Sequence, residues 1–333
     1  MKRKPNHIDR APGTGQTRRE FTRKLAVAGA GLPLVGSLIP VSAVDAAPYQ
    51  RAGTCAGSWK INLFSKHLQF LGYDEMAEAS VVAGLDGLDL TVRPGGHVLP
   101  ENVEKDMPLA AKAIRKAGLE LTMMTTRITD PDDPATGKIL KVASDLGIRY
   151  YRMGYYNYDK EVGVVKSLET IRDKMSRLAI MNEKYGLHGA YQNHAGTRFG
   201  APLWDLWHVI HDQNPKWIGC QYDIRHAVVE GAQSWPLGME LLKDHIKCMA
   251  IKDFIWSQQD GRWRIKNVPV GEGMVDFGEY FKLVKAYQIT GPISLHIEYP
   301  LYPDKNISTE DKKASAIRTI QHDVQSLKGL LPS

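Results

Sequence analysis

Ile218-Gly-Cys-Gln-Tyr-Asp-Ile-Arg-His-Ala-Val-Val-Glu-Gly231 is a short β-type run that passes, within four positions, into an acid, an arginine and a histidine. Polar groups gathered where a strand enters a loop suit a site carried on a rigid scaffold, because a closed core must satisfy every one of them. Asp223 and His226 are therefore the first candidates for chemistry. The plainer alternative is that Asp223 caps a turn and His226 is an ordinary loop histidine. What decides the reading lies outside the stretch, where seven further runs end in the same way.

Strand-like runs occupy 56–64, 87–92, 119–125, 149–154, 187–193, 218–222, 246–254 and 293–299. Helical patterns lie between and after them at 73–83, 103–117, 137–146, 164–185, 202–211, 236–244, 277–287 and 309–331. Strands alternating with helices at this spacing imply parallel β-α units. Eight such units over residues 53–330 predict an α/β fold, a single closed (β/α)8 TIM barrel. An open doubly wound sheet is the alternative, but no Gly-x-Gly-x-x-Gly follows the first strand. Lys116-Ala-Gly118 and Asp145-Leu-Gly147 are helix ends placed before strands.

The chain carries a net charge of +6, which invites a nucleic-acid partner. Residues 1–46, however, hold eight Lys/Arg against three Asp/Glu, and without them 35 basic residues face 34 acidic ones. The body of the protein thus has no electrostatic footprint for nucleic acid. The leader has a basic region, an apolar run from Leu25 to Val44 and a small-residue site at Val44-Asp-Ala46. It resembles a twin-arginine export signal, with Arg18-Arg19 and Phe21 in place. An uncleaved membrane anchor is the alternative; the Gly and Ala content favours cleavage before Ala47 and a periplasmic or secreted protein with no membrane contact afterwards. Cys55, Cys220 and Cys248 are too few and too scattered for a disulfide framework or a zinc knuckle, and read as small core residues; a Cys220–Cys248 bridge stays open.

Alternate positions of a strand share a face. In Gly87-Leu-Asp-Leu-Thr-Val-Arg93 the apolar class, Leu88, Leu90 and Val92, should pack on helices, leaving Asp89, Thr91 and Arg93 to point into the barrel or its mouth. The same parity groups Gln192 with His194, Gln221 with Asp223, Ala250 with Lys252, and Ser294 with His296 and Glu298. So many polar side chains on one axis would be costly as mere filling, and they argue for a polar site at the C-terminal mouth. Arg93 and His97, in Arg93-Pro-Gly-Gly-His-Val98, are expected to line that mouth as substrate-binding donors, on a loop whose glycines permit close approach to a ligand. The alternative for Arg93 is an ion pair with Asp89. Trp204, Trp207, Trp235, Trp256 and Trp263 are available for stacking on a ligand ring or for the core.

With Gln192-Asn-His194, Asp223-x-x-His226, Ile251-Lys-Asp253, Gly271-Glu-Gly273 and Glu298 quoted, the chain resembles the xylose-isomerase-like TIM barrel superfamily over essentially all of 53–330. That group holds sugar isomerases and epimerases, dehydratases, 3-keto-sugar lyases and apurinic endonucleases. The resemblance implies a divalent metal, Mn²⁺, Mg²⁺ or Zn²⁺, held by Glu, Asp, His and Glu on strands five to eight. Those positions fall on Gln192, Asp223, Ala250 and Glu298, so two of the four depart from the pattern. Gln192 keeps a carbonyl oxygen, Ala250 offers nothing, and His194 is the substitute that completes a set of Gln192, His194, Asp223 and Glu298.

The chemistry so implied is metal-assisted removal of a proton next to a sugar carbonyl, leaving an enediolate that cations and donors stabilise. Glu298 is the expected base, Lys252 the oxyanion stabiliser or acid, and His226 and His194 further contacts to substrate. For Lys252 the alternative is an ion pair with Asp223 or Glu298. The expected function is an exported sugar isomerase or epimerase acting on a small carbohydrate, with a homo-oligomer compatible. A 3-keto-glycoside lyase or dehydratase, a catalytically inactive sugar-binding barrel and an apurinic endonuclease are the competing readings; the last lacks a basic groove.

Overall fold

The computed structural model describes residues 59–304 and 306–332; the leader expected at 1–46 and Cys55 lie outside them. In chain order the strands are β1 (Ile61–Phe64), β2 (Gly87–Thr91), β3 (Glu120–Thr125), β4 (Tyr150–Arg152), β5 (His188–Gln192), β6 (Ile218–Asp223), β7 (Ile246–Ile251), β8 (Asp253–Gln259), β9 (Arg262–Val268) and β10 (Ile293–Leu295). Strands β1 to β7 and β10 close an eight-stranded parallel barrel, with β10 seated between β7 and β1. The helices are α1 (Tyr73–Val82), α2 (Val103–Lys116), α3 (Pro134–Asp145), α4 (Gly163–Tyr185), α5 (Leu203–Ile210), α6 (Ile224–Gly231), α7 (Trp235–Leu242), α8 (Phe277–Ala286) and α9 (Thr309–Leu330). The expected TIM barrel is therefore the observed one. Among the described residues no helix is long and apolar enough to cross a membrane.

The parity of β2 is realised as read. Leu88 and Leu90 are fully buried in the apolar layer shared with the helices, while Asp89 points inward and accepts from Thr125 Oγ1 of β3 at 2.9 Å and Ser294 Oγ of β10 at 2.6 Å. Helix α2 seals its side of the barrel with Met107, Ala110, Ala111 and Ile114, the one-face spacing of a 3.6-residue period. Each fully buried Met or Ile contributes about 1.5–3 kcal/mol. Helix α3 begins earlier than its apolar pattern suggested because Asp133 caps it, accepting from Ala135 N at 2.9 Å, and Pro134 supplies the first helical φ. Gly118 and Gly147 take the positive φ expected after helix ends.

Three segments differ from expectation. The run at 246–254 is broken after Ile251, and a hairpin, β8–β9, is inserted between β7 and α8. Its turn has Asp260 at φ 50° and Gly261 at φ 72°, the two positive values of a type I′ turn, and Asp-Gly is the dipeptide that tolerates them. Strand β10 stops at Leu295 rather than 299. The segment after Asp223, read as a loop, is helix α6. Cys220 and Cys248 are buried and unbridged. Trp235 is buried, whereas Trp204 and Trp263 are mostly exposed.

Candidate active site

Strands β5, β6 and β7 end side by side, and their last inward residues meet. Gln192 Oε1 accepts from Arg152 Nη1 at 2.9 Å and from Tyr155 Oη at 2.6 Å. A guanidinium can only donate, so that contact fixes the amide, and Gln192 Nε2 is left to donate to Asp223 Oδ2 at 2.7 Å. The same Oδ2 lies 3.1 Å from Lys252 Nζ, in a pair whose members are both buried. Asp223 Oδ1 accepts from the His226 amide at 3.1 Å and so caps α6. Asn193 locks the backbone beneath, donating to Asp223 O at 2.9 Å and accepting from Asp223 N at 2.7 Å. Asp223 thus caps the helix with one oxygen and meets Gln192 and Lys252 with the other.

The two histidines hold opposite tautomers. Arg225 Nη1 sits 2.9 Å from His226 Nδ1 and must donate, which leaves that nitrogen bare and the proton on Nε2. His226 Nε2 is buried, finds no hydrogen-bond partner among the described residues and stands 3.8 Å from Asp223 Oδ2. His194 Nδ1 faces the Ala195 carbonyl at 2.9 Å, so it carries the proton and Nε2 is bare. The two rings lie against each other at a tilt of 36°, with centroids 3.9 Å apart. Burial, then the Lys252 charge, pushes both imidazoles below their ordinary value, His226 far below, so both are neutral near pH 7. Burial likewise lowers the Lys252 ammonium, with Asp223 and Glu298 opposing.

Glu298 follows β10 at the same end of the barrel and is partly exposed, lining a cavity of about 450 Å³ with Lys66 and Tyr302. Lys66 Nζ is 3.8 Å away. Burial would raise the Glu298 carboxyl, but Lys252 and Lys66 outweigh it and hold it below its ordinary value, ionised at neutral pH. Arg93 lines a different cavity, with Arg152 and Tyr155, and it makes no ion pair with Asp89, whose oxygens belong to Thr125 and Ser294. His97 is absorbed by its own loop: it meets Ser65 and Thr91 through Nδ1 and the Leu68 carbonyl through Nε2 at 3.2 Å. Gly96, just before it, serves that closure, since a Cβ there would meet Thr91 O at 2.8 Å.

The donor set proposed for a divalent ion can be tested against these contacts. Gln192 presents N–H rather than carbonyl oxygen to Asp223, its Oε1 already accepts twice, and Ala250 contributes no donor. The Lys252 ammonium stands where a cation would neutralise Asp223. As arranged, these residues do not fit a divalent metal, and among the described residues no group of three His, Cys, Asp or Glu could hold one.

Several side chains at the mouth escape motif reasoning. Arg152 is inward by the parity of β4, a signal the sequence carries. Tyr155 and Arg198 sit on loops, and Arg225 is ordered through Asn267 of β9, 2.6 Å from its Nη2, in a hairpin supplied from elsewhere in the chain. Asp253 is a structural residue: its carboxylate accepts from the amides of Phe254, Gly271, Gly273 and Val275 at 2.8 to 3.2 Å, pinning the Gly271-Glu-Gly273 loop.

Residues 77–321 match the family model described as the xylose isomerase-like TIM barrel. No curated protein matches the sequence. Among solved structures, the D-allulose 3-epimerase of Methylomonas sp. aligns with a TM-score of 0.59 at 14% identity, over 82% of this chain and 98% of its own. The 3-keto-D-glucoside 4-epimerase of E. coli gives 0.54 at 13%, over 78% and 99%. The probable 3-DHS dehydratase of Bacillus anthracis gives 0.59 at 15%, over 81% and 98%. At such identities the likeness is one of fold.

Proposed function

From the premise that this chain belongs to the xylose isomerase-like TIM barrel family, we propose that it is a carbohydrate-modifying enzyme that removes a proton next to the carbonyl of a sugar or keto-sugar. The observation that carries this is a pair of buried donors at the barrel mouth. Lys252 Nζ lies 3.1 Å from Asp223, and beside it the His226 Nε2–H has no partner among the described residues. A buried N–H without a partner costs about 1–3 kcal/mol, and an oxygen of bound substrate would recover it.

In this reading the Glu298 carboxylate takes the carbon-bound proton, and the bond's electrons move onto the carbonyl oxygen. Lys252 and His226 Nε2–H meet the resulting enediolate. Return of a proton to the same carbon from the other face gives an epimer, and return to the neighbouring carbon gives an isomer. Loss of a β-substituent gives elimination, the lyase outcome. The bare Nε2 of His194 favours a second reading in which that imidazole is the base. Lys252 supplies the positive charge a metal would otherwise bring. The family's ligand positions give a third reading, a metal on Gln192, His194, Asp223 and Glu298, which needs the Gln192 amide turned over and Lys252 displaced.

Incubation with neutral sugars and 3-keto-glycosides in D₂O, read by NMR, tests the proposal: solvent deuterium should enter at a carbon next to a carbonyl. Catalysis is refuted if no sugar exchanges, whether neutral or acidic, which would leave a sugar-binding barrel. Metal content of protein purified without chelator separates the two cation readings, since stoichiometric metal lost from Glu298→Gln would establish the ligand set. The Arg18-Arg19 leader supports export of the protein; retention of export after both are changed to lysine would remove that support.

A further inference from the structure

Next to the proton-transfer group, at the mouth of β2 to β5, lies a cavity of about 490 Å³ walled by Arg93, Arg127, Arg152 and Arg198 together with Tyr155 and Asn157. Four guanidiniums in one cavity repel one another unless something negative sits among them. Among the described residues no ion pair joins any of the four to a carboxylate. Asp89, whose charge reaches Arg93 and Arg152, has its oxygens taken by Thr125 and Ser294. Arg152 is only 6% exposed, and its Nε, like that of Arg93, is buried with no partner among the described residues.

Aromatic faces hold the charges in place instead. Phe64 lies under Arg93 at 5.5 Å and Arg152 at 5.3 Å, and Tyr155 under Arg152 at 5.4 Å and Arg198 at 5.3 Å. Such stacking orients a guanidinium while leaving its in-plane N–H groups free for an oxyanion. Burial and then the charges of Arg152 and Arg127 push the Arg93 guanidinium below its ordinary value, the electrostatic mark of a cavity that lacks its counter-charge. The cavity also adjoins the chemistry. Arg152 and Tyr155 both donate to Gln192, and Gln192 donates to Asp223, so one side chain separates the arginines from the Lys252 pair.

We propose that this cavity binds the anionic group of the substrate, a carboxylate or a phosphate, so that the enzyme acts on an acidic sugar. The anion site stands on the cavity alone; that its occupant is the substrate rests on the function proposed above. Arg152 and Arg93 form its floor, and the exposed Arg127 and Arg198 close around the group as it enters.

Calorimetric titration of the wild-type protein with inorganic phosphate, D-gluconate, D-glucose 6-phosphate and D-glucose tests this. At least one anion should bind about 10- to 100-fold more tightly than glucose, the worth of one or two charge-assisted hydrogen bonds. That preference should shrink as NaCl is raised from about 50 to about 500 mM. Gluconate ahead of glucose 6-phosphate would name a carboxylate, the reverse a phosphate. The double variant Arg127→Gln/Arg198→Gln, whose two positions are exposed, should lose the preference with its thermal midpoint unchanged. Anions that bind no better than glucose, or a preference that survives in the double variant, would overturn the proposal. Lys252→Met separates this from the catalytic reading, because it should keep the anion preference. Deuterium exchange into neutral sugars with no anion preference would sink the anion site alone, and anion binding with no exchange into any sugar would sink the catalytic reading alone.

Discussion

Replacing Lys252 with Met takes one charge out of a buried pair and keeps most of the side chain's volume. Lys252 Nζ lies 3.1 Å from Asp223 Oδ2, both residues at most 4% exposed, and at an effective dielectric near 20 their attraction is about 5 kcal/mol. Desolvation of the two ions offsets much of that, which is why such a pair adds little net stability. Its breakage is another matter. Asp223 would keep only Gln192 Nε2 at 2.7 Å and the His226 amide at 3.1 Å, and an uncompensated buried charge costs about 3–5 kcal/mol. Lys252→Met and Asp223→Asn should each destabilise by about that much. The double variant, with no buried charge left at the pair, should cost at least about 2 kcal/mol less than their sum. Urea unfolding of the four proteins reads the cycle. Turnover of Lys252→Met, measured where it is folded, should fall about 10²- to 10³-fold, the loss of one positioned oxyanion donor. Additive costs, with coupling under about 0.5 kcal/mol, or a wild-type rate in Lys252→Met would refute the reasoning.

Glu298→Gln should reduce deuterium exchange at least about 10²-fold while leaving sugar binding intact; because Lys252 and Lys66 keep this carboxyl below its ordinary value, the acid limb of the wild-type rate should lie below the ordinary glutamate range. Asp253→Ala strands four backbone amides and should cost about 3 kcal/mol or more, with Asp253→Asn cheaper. Gly273→Ala, whose Cβ would lie 2.1 Å from Asp253 Oδ1, should resemble the alanine variant in urea unfolding. Burial lowers the His188 imidazole to about 4, so the unfolded chain takes up a proton that the fold excludes. Its contribution is fully present above about pH 6.5 and is lost as pH falls, at about 1.4 kcal/mol per unit and about 3 kcal/mol in all by pH 4. A pH series of unfolding midpoints in which His188→Asn leaves that slope unchanged would exclude this residue as its source.

The barrel was legible because its signal is periodic. Leu88 and Leu90 against Asp89 is a period-two pattern, and each such strand is followed by a helical pattern long enough to cross back. Where the period is short or absent, the sequence is silent. Residues 224–231 make only two turns of helix, and the cap that starts them, Asp223, reads equally well as a loop acid. Lys252 and Asp253 look like the middle of one strand because apolar residues flank them, although Gln259-Asp-Gly-Arg262 carries the hairpin's own signature. Arg152 could be placed inward by the parity of Tyr150 and Arg152, but Tyr155 and Arg198 could not. They stand on loops, where no period relates position to direction, and their common cavity exists only once the barrel has closed.

The departures at Gln192 and Ala250 look in sequence like two separate losses from a metal site, and the structure joins them through charge. A glutamate at position 192 would set a second carboxylate beside Asp223, and two buried negative charges call for a divalent ion. Glutamine brings an N–H to Asp223 instead and removes one of those charges, so a single ammonium suffices. Ala250 stands in register with Asp223 on one side and Ser294 on the other; a small residue there crowds neither neighbour. Lys252, two residues on and on the same face, supplies the ammonium. Gln192 also spends its carbonyl on Arg152, which ties the neutral pair to the arginine cavity. One substitution therefore serves both halves of the mouth, balancing the charge at Asp223 and fixing a guanidinium for the substrate's anion.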